Sequence, residues 1–389
     1  MHHDFTAYAA RLREFIRRHS PDAPPADRLS PAESDAQFAT LAGELFRLQF
    51  KANAPFRALC LLRGLTPDSL GDWRELPALP TEAFKEAEVS CLPPGERTAV
   101  FHSSGTTQQQ PSRHHHSAES LALYEASLKP WFQQHLLGDL AELIENEQLR
   151  PWEQPGFLAL TPPPEVAPHS SLVHMLDVVT REFGASDSLF AGRLDADGTW
   201  ALDLDRVLFA LRKSMCANRP LVLLGTAFNF VHLLDHFAAN NIRYRLAAGT
   251  RVMETGGYKG RSRELPKREL HALITKHLGI PAERIVTEYG MSELSSQAYE
   301  TEPARSRDAG QGTRHFHFPP WARARVISPE TGREVADGGT GLLRIIDLAN
   351  AWSVLAVQTA DLAIRRGNGF ELLGRAAAAE ARGCSLMAA

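Results

Sequence analysis

The sequence is poor in cysteine. Four cysteines occur among 389 residues, and no two of them have the CxxC spacing of a metal or redox motif: Cys60, Cys91, Cys216 and Cys384. Such scattered thiols exclude a disulfide framework and argue against a zinc site. We therefore expect a reducing, cytoplasmic environment, in which a thiol stays available for chemistry.

Long apolar runs and an excess of basic charge are also missing. No stretch approaches the ~20 apolar residues of a membrane span, and no secretory signal is expected. The net charge is −4, which argues against a nucleic-acid partner. Near the N-terminus, Phe5, Tyr8, Leu12 and Phe15 recur at helical spacing and predict an amphipathic helix that packs on the protein body.

Short apolar runs alternate with amphipathic stretches between residues 95 and 300. The runs occupy residues 98–104, 157–161, 221–225, 251–257 and 285–290, and helical periodicity marks residues 229–240 and 262–278. Alternation of this kind predicts an α/β fold, with a mostly parallel sheet flanked by helices. In such sheets ligands bind beyond the carboxyl ends of the strands.

After residue 315 the pattern changes to short β-like runs separated by turn residues, which predict a small antiparallel β subdomain. We accordingly divide the chain into four segments. These are an N-terminal helical region at 1–90, an α/β core at 91–310, the small β subdomain at 311–375, and a tail at 376–389 that carries Cys384.

A loop of small hydroxyl residues around a glycine follows the first apolar run. Its members are Ser103, Ser104, Gly105, Thr106 and Thr107. Backbone N–H groups and hydroxyls in such a loop can surround phosphate oxygens, and glycine permits the close approach of the backbone. Taken alone, the loop reads equally well as a surface turn.

Three further motifs follow in order. They are Tyr289-Gly290-Met291-Ser292-Glu293, then Thr359-Ala360-Asp361, then Gly374-Arg375. With the hydroxyl loop they resemble the adenylate-forming enzyme superfamily. Within it the chain is most similar to the acyl-protein synthetases (long-chain fatty acid–protein ligases) of bacterial luciferase systems. The run Ser112-Arg113-His114, the METGGYKG segment and the RGCSL tail add to the likeness, which extends over about residues 80–389.

The resemblance implies a role for each matching residue. The five residues of the hydroxyl loop would hold the ATP phosphates, and Gly256 and Gly257 would line the adenine pocket. Tyr289, followed by Gly290, would stack on the base, and Glu293 would help to hold Mg²⁺. Asp361 would accept hydrogen bonds from the ribose hydroxyls, with Arg375 nearby.

The sequence departs from the superfamily in two places. Gln108 stands where most members have glycine after the second threonine. Most members also continue past the Gly-Arg motif into a second domain that supplies a catalytic lysine, whereas we expect this chain to lack that domain. Lys259 or His102 is then a candidate for the missing cation, and Cys384 is the candidate acyl acceptor, because a neighbouring Arg382 can lower the pKa of a thiol.

The expected function is ATP-dependent activation of a carboxylic acid, transfer to Cys384 as a thioester, and delivery to a partner such as an acyl reductase. Aromatic residues in Thr226–Phe230 favour a fatty acid if they line a pocket, although they equally suit a core. Two alternatives stay open: an acyl- or aryl-CoA ligase, and a non-catalytic nucleotide- or acyl-binding protein. The run His114-His115-His116 reads as a partly solvated segment, because adjacent residues cannot all face one ion.

Overall fold

The structure is a computed structural model that describes residues 2–103, 110–140, 143, 154–195, 199–256, 264–301 and 314–376. The chain divides into two compact units. Unit 1 comprises Met1–Pro130 and Met291–Ala389, and unit 2 comprises Trp131–Gly290. Seven of the candidate site residues lie outside the described residues, as do Gln108 and Arg382: Ser104, Gly105, Thr106, Thr107, Gly257, Lys259 and Cys384.

Helices and strands alternate through the middle of the chain. The helices are α1 (His2–His19), α2 (Pro31–Ala52), α3 (Ala54–Leu62), α4 (Ala83–Glu86), α5 (Ala118–Phe132), α6 (Ser171–Phe183), α7 (Leu204–Ala217), α8 (Ala227–Ala239) and α9 (Lys267–Leu278). The strands are β1 (Leu79–Pro80), β2 (Ala99–His102), β3 (Arg113–His116), β4 (Gly156–Ala159), β5 (Leu189–Phe190), β6 (Gly192–Leu194), β7 (Trp200–Leu202), β8 (Leu221–Thr226), β9 (Arg251–Thr255), β10 (Ile285–Tyr289), β11 (Ala298–Thr301), β12 (His315–His317), β13 (Ala322–Ile327), β14 (Thr340–Asp347), β15 (Ala356–Arg366) and β16 (Gly369–Arg375).

Unit 2 is built on a parallel sheet with the strand order β5-β4-β8-β9-β10. Its central strands are buried almost throughout, as expected of parallel strands covered on both faces. α8 begins at a capping box between Thr226 and Asn229, and its Phe230 and Phe237 enter the core together with Ile274 of α9. Phe230 is therefore a core residue.

Unit 1 carries an antiparallel sheet with the order β13-β14-β15-β16-β12-β11, and β1 pairs in parallel with β15. α2 starts at a capping box between Ser30 and Glu33. Its buried Gln49 donates to the carbonyls of Asn350 and Ala351 and accepts from the Leu355 N–H. These three bonds satisfy backbone groups of the β14–β15 connection that would otherwise be buried unpaired.

The predicted fold class is confirmed, since a parallel α/β sheet precedes an antiparallel β region. The apolar runs became β2, β4, β8, β9 and β10, and the two periodic stretches became α8 and α9. The N-terminal amphipathic helix is α1, whose apolar side chains are buried. The four-segment division of the chain stays a prediction. Within the described ranges, no helix is both long and apolar enough to cross a membrane.

Candidate active site

The carboxyl ends of β9 and β10 in unit 2 present two of the predicted nucleotide residues. The strands are parallel neighbours with Thr255 opposite Glu288, so Gly256 and Tyr289 follow at adjacent strand ends. Tyr289 is 8% exposed, and a Cβ at Gly256 would meet no atom within 4 Å. Gly290 comes next along the chain and is exposed. This edge is where ligands of parallel sheets bind.

Two buried carboxylates lie on the same pair of strands. Glu254 accepts a hydrogen bond from Thr287 Oγ1 at 2.7 Å, and His271 Nε2 of α9 lies 3.3 Å from the same carboxylate. Burial, together with the nearby Glu254 and against the lowering effect of a hydrogen bond with Thr255, raises the pKa of Glu288 to about 7. The strand ends that precede Gly256 and Tyr289 are thus fixed by a network that the motifs did not predict.

In unit 1, hydrogen bonds join the hydroxyl loop to the Tyr-Gly-Met-Ser-Glu motif. Ser103 Oγ accepts from the Ser112 N–H at 2.9 Å, and the Ser103 N–H donates back to the Ser112 carbonyl at 3.3 Å. Ser112 Oγ lies 3.4 Å from Ser292 Oγ, which donates to Glu293 Oε2 at 3.0 Å. Two segments that are 180 residues apart in the sequence therefore meet at Ser112 and Ser292, beside the Glu293 carboxylate.

The backbone around Glu293 is held by buried side chains of the neighbouring elements. His114 Nδ1 donates to the Ser292 carbonyl at 2.7 Å, and Asn350 Nδ2 donates to the Glu293 carbonyl at 2.9 Å. Asp347, which is fully buried, accepts from the Ser295 N–H and from Ser296 Oγ. Burial raises the pKa of Asp347 and lowers that of His114 to about 4, so the His114 imidazole is neutral at pH 7.

The histidine run differs from its prediction. His114 and His116 are each 2% exposed on β3 and their ring centroids lie 4.2 Å apart, so the prediction of a partly solvated segment is wrong for both. They lie two residues apart on a strand and therefore share its buried face, whereas His115 points the other way and is half-buried.

Asp361 and Arg375 come together in the antiparallel ladder of β15 and β16. The two residues are direct register partners, and Arg375 Nε lies 3.8 Å from Asp361 Oδ1. The Arg375 side chain is 89% exposed and that of Asp361 is 16% exposed. An ion pair this long and this open to solvent is weak.

The Glu293 carboxylate and the serine hydroxyls near it suit a metal ion that is held largely by its substrate. Within the described ranges, no group of three His, Cys, Asp or Glu side chains could hold an ion. Glu293 instead offers one buried carboxylate with the Ser292 hydroxyl bonded to it, and Ser112 Oγ bonded in turn to that hydroxyl. Mg²⁺ prefers hard oxygen ligands and is commonly held by one or two carboxylates together with substrate phosphates. The residues present therefore fit Mg²⁺ bound with ATP.

Three cysteines lie within the described residues. Burial raises the pKa of Cys60 to about 12 and raises that of Cys91 still further, which suppresses their thiolate forms. Cys216 is exposed on α7. Apart from the cysteines, the sequence motifs did not predict the contact of Ser112 with Ser292. They also did not predict the hydrogen bonds by which Asn350 and Asp347 hold the backbone around Glu293. In each case the two partners are distant in sequence.

Solved structures with the same architecture are acyl-activating ligases. An open conformation of 2-hydroxyisobutyryl-CoA ligase, in complex with 2-HIB-AMP and CoA, matches 92% of this chain and 77% of its own with a TM-score of 0.64 at 14% identity. The thioesterification state of the same ligase matches 90% of this chain and 72% of its own with a TM-score of 0.65 at 13% identity. The chain thus has the fold of adenylate-forming ligases.

Sequence relatives specify the family. A long-chain-fatty-acid–luciferin-component ligase of Aliivibrio fischeri is 23% identical over 327 residues, which are 83% of this chain and 78% of that protein. Residues 179–389 match the model of the LuxE acyl-protein synthetase family. The chain belongs to that family, and family and fold together support a ligase that activates an acyl group.

Proposed function

We propose that this protein uses ATP to convert a fatty acid to an acyl-adenylate and then carries the acyl group on Cys384. The observation that carries the proposal is the hydrogen-bonded series Ser103–Ser112–Ser292–Glu293. It joins the end of the hydroxyl loop to a buried carboxylate, and that combination of donors and one anion suits a metal-bound triphosphate.

We infer the remaining nucleotide contacts from the motif residues of each unit taken separately. In unit 2, Tyr289 would stack on the adenine, with Gly256 and Gly257 beside it and Gly290 after it. In unit 1, Asp361 would accept hydrogen bonds from the ribose hydroxyls, with Arg375 near its carboxylate. The phosphates would lie along Ser103, Ser104, Gly105, Thr106 and Thr107.

Glu293 would hold Mg²⁺ together with the phosphates, and when bound the ion supplies positive charge that offsets the charge of the phosphate oxygens. The fixed backbone of Ser292 and Glu293 would keep that carboxylate in place. Lys259 would provide a further cation near the attacking carboxylate.

The first half-reaction forms a mixed anhydride. A carboxylate oxygen of the acid attacks the α-phosphorus of ATP, and the bond from that phosphorus to the β-bridging oxygen breaks, which releases pyrophosphate. Hydroxyl and backbone N–H donors of the loop would stabilise the negative charge on the transferring group.

The second half-reaction transfers the acyl group. The thiolate of Cys384 attacks the acyl carbonyl, the bond to the AMP oxygen breaks, and AMP leaves. The resulting thioester would then pass its acyl group to a partner protein such as an acyl reductase. The high thiol pKa values of Cys60 and Cys91 disfavour them as acceptors, so exposed Cys216 is the competitor to exclude.

Activation is tested by acid-dependent exchange between ATP and labelled pyrophosphate over a panel of fatty, short and aromatic acids. Glu293→Gln should lower the exchange rate at least tenfold and raise the Mg²⁺ requirement, because an amide is a poorer ligand for a hard cation. Glu330→Gln is the matched control on an exposed turn. Lack of exchange with every acid, in folded protein, would contradict the proposal and leave the binding-protein alternative.

The acceptor is tested by incubation with ATP, Mg²⁺ and a labelled fatty acid. Label should be bound covalently, be released by neutral hydroxylamine, and be absent from Cys384→Ala while exchange persists. Cys216→Ala should label normally. If the label is lost in Cys216→Ala and kept in Cys384→Ala, Cys384 is not the acceptor. If Cys384→Ala is not labelled but transfers the acyl group to added coenzyme A, the acyl-CoA ligase alternative is favoured.

A further inference from the structure

Two buried carboxylates that the proposed reaction does not use lie near the carboxyl ends of β9 and β10. Glu254 is 2% exposed and Glu288 is 4% exposed. Parallel strands that are covered on both faces are otherwise apolar, as Val252 and Val286 are on these two strands. Acidic side chains are almost never buried unless they are paired. The partners of these two carboxylates therefore matter.

Each carboxylate is bonded across the strands to a threonine. Thr287 stands opposite Glu254 in the register and donates from Oγ1 to Glu254 Oε1 at 2.7 Å. One residue further along, Glu288 stands opposite Thr255, and its carboxylate accepts a hydrogen bond from that side chain. Because successive side chains of a strand point to opposite faces, the two bonds lie on opposite faces of the sheet.

One of these faces is covered by α9, which adds a second contact to Glu254. His271 Nε2 lies 3.3 Å from Glu254 Oε1. Leu270 and Ile274 of the same helix pack in the core with Val252, whose side chain points to the same face as that of Glu254. The Glu254 carboxylate is thus contacted both from the neighbouring strand and from the helix, which fixes its position.

The two cross-strand bonds come directly before the residues assigned to the base. The paired register of β9 with β10 ends at Thr255 and Glu288. Gly256 follows the first of these residues and Tyr289 follows the second. The separation of Gly256 from Tyr289 therefore depends on the strand ends that these bonds hold together.

We propose that Glu254, held by its bond to Thr287, is a positioning residue for the nucleotide. It keeps Gly256 and Tyr289 at the spacing that admits the adenine ring, and so sets the affinity for ATP without contacting it. The inference rests on the proposed nucleotide site. A hydrogen bond suits this role because it fixes both distance and direction, whereas an apolar contact between the same strands is non-directional.

The test is a double-mutant cycle in acid-dependent pyrophosphate exchange. Glu254→Met removes the acceptor and Thr287→Val removes the donor, each at nearly constant volume. Each single variant and the double variant should raise the KM for ATP about tenfold, the contribution of one charged hydrogen bond. The rate at saturating ATP and the KM for the acid should stay close to those of the wild type. Thr287→Ser retains the hydroxyl and should keep the wild-type KM.

The dissociation constant of AMP, measured by titration calorimetry, is a second readout that needs no turnover. It should rise by the same factor in the same variants. Glu269→Met, on the exposed face of α9, is the matched control and should change neither constant. Each variant is used at a temperature at which circular dichroism shows it folded, so a loss of stability cannot account for a tenfold change.

The outcomes separate this proposal from the proposed function. Unchanged KM and AMP affinity in Thr287→Val, or a hundredfold rise of KM in the double variant, would overturn the positioning role, because a single shared bond cannot be lost twice. Either result would leave the exchange reaction of the wild type intact. Conversely, AMP binding that weakens in the variants, in a protein that shows no exchange with any acid, would support the positioning role and contradict the proposed function alone.

Discussion

Replacement of His114 by phenylalanine tests the contact that anchors the Glu293 segment. The variant keeps an aromatic ring beside Phe84 and His116, but it removes the donor to the Ser292 carbonyl and the titratable nitrogen. At pH 7 the unpaired buried carbonyl should cost about 1–3 kcal/mol of unfolding free energy.

The loss of unfolding free energy caused by His114→Phe should become smaller in acid, because the pKa of His114 is low in the folded protein. Burial holds it at about 4 in the folded state, against 6.5 for an ordinary histidine. Between these values the unfolded chain binds more protons, so the wild type loses stability as the pH falls from 6.5 towards 4. From pH 7 to about pH 4.5 the wild type loses about 2 kcal/mol of unfolding free energy by this effect. The phenylalanine variant does not, because it has no imidazole to protonate. The stability difference should therefore narrow by that amount.

Urea unfolding at both pH values, followed by tryptophan fluorescence, measures the difference directly. His3→Gln, an exposed histidine on α1, is the control and should keep the pH dependence of the wild type. A difference that stays constant or widens between pH 7 and 4.5 would refute the inference that His114 is neutral and buried in the folded protein.

Three further changes have defined outcomes. The unfolding free energy of Glu288→Gln should rise by about 3 kcal/mol relative to that of the wild type as the pH is raised from 4.5 to 8, as measured by urea unfolding. The folded-state pKa of about 7 makes the wild type lose stability over this range, whereas the glutamine does not titrate. A stability difference that does not change with pH would contradict this. Asp361→Asn should raise the KM for ATP about tenfold in pyrophosphate exchange with little effect at saturating ATP, if the carboxylate accepts from the ribose; an unchanged KM would remove it from the site. Gln49→Leu should cost about 3 kcal/mol or more in thermal unfolding, because it leaves three buried backbone groups of the β14–β15 connection unpaired; a neutral result would show that those groups find other partners.

Local patterns along the chain were sufficient to predict most of the elements. The alternation of apolar and polar residues depends only on neighbours within a few positions, so α1, β8 and β10 could be recognised from periodicity. The order of the motifs was enough to indicate the adenylate-forming class, which the family and the fold confirm. The roles assigned to Tyr289 and Asp361 stay predictions.

What the tertiary structure alone decided is which residues are buried and which distant residues meet. The run of three histidines was predicted to be partly solvated, yet strand pairing buries His114, which bonds Ser292 far along the chain. Phe230 could have lined a pocket, and the packing of α8 made it core. The raised pKa of Glu288 depends equally on long-range packing. Desolvation and charge repulsion act through space, so no local window of the sequence contains them.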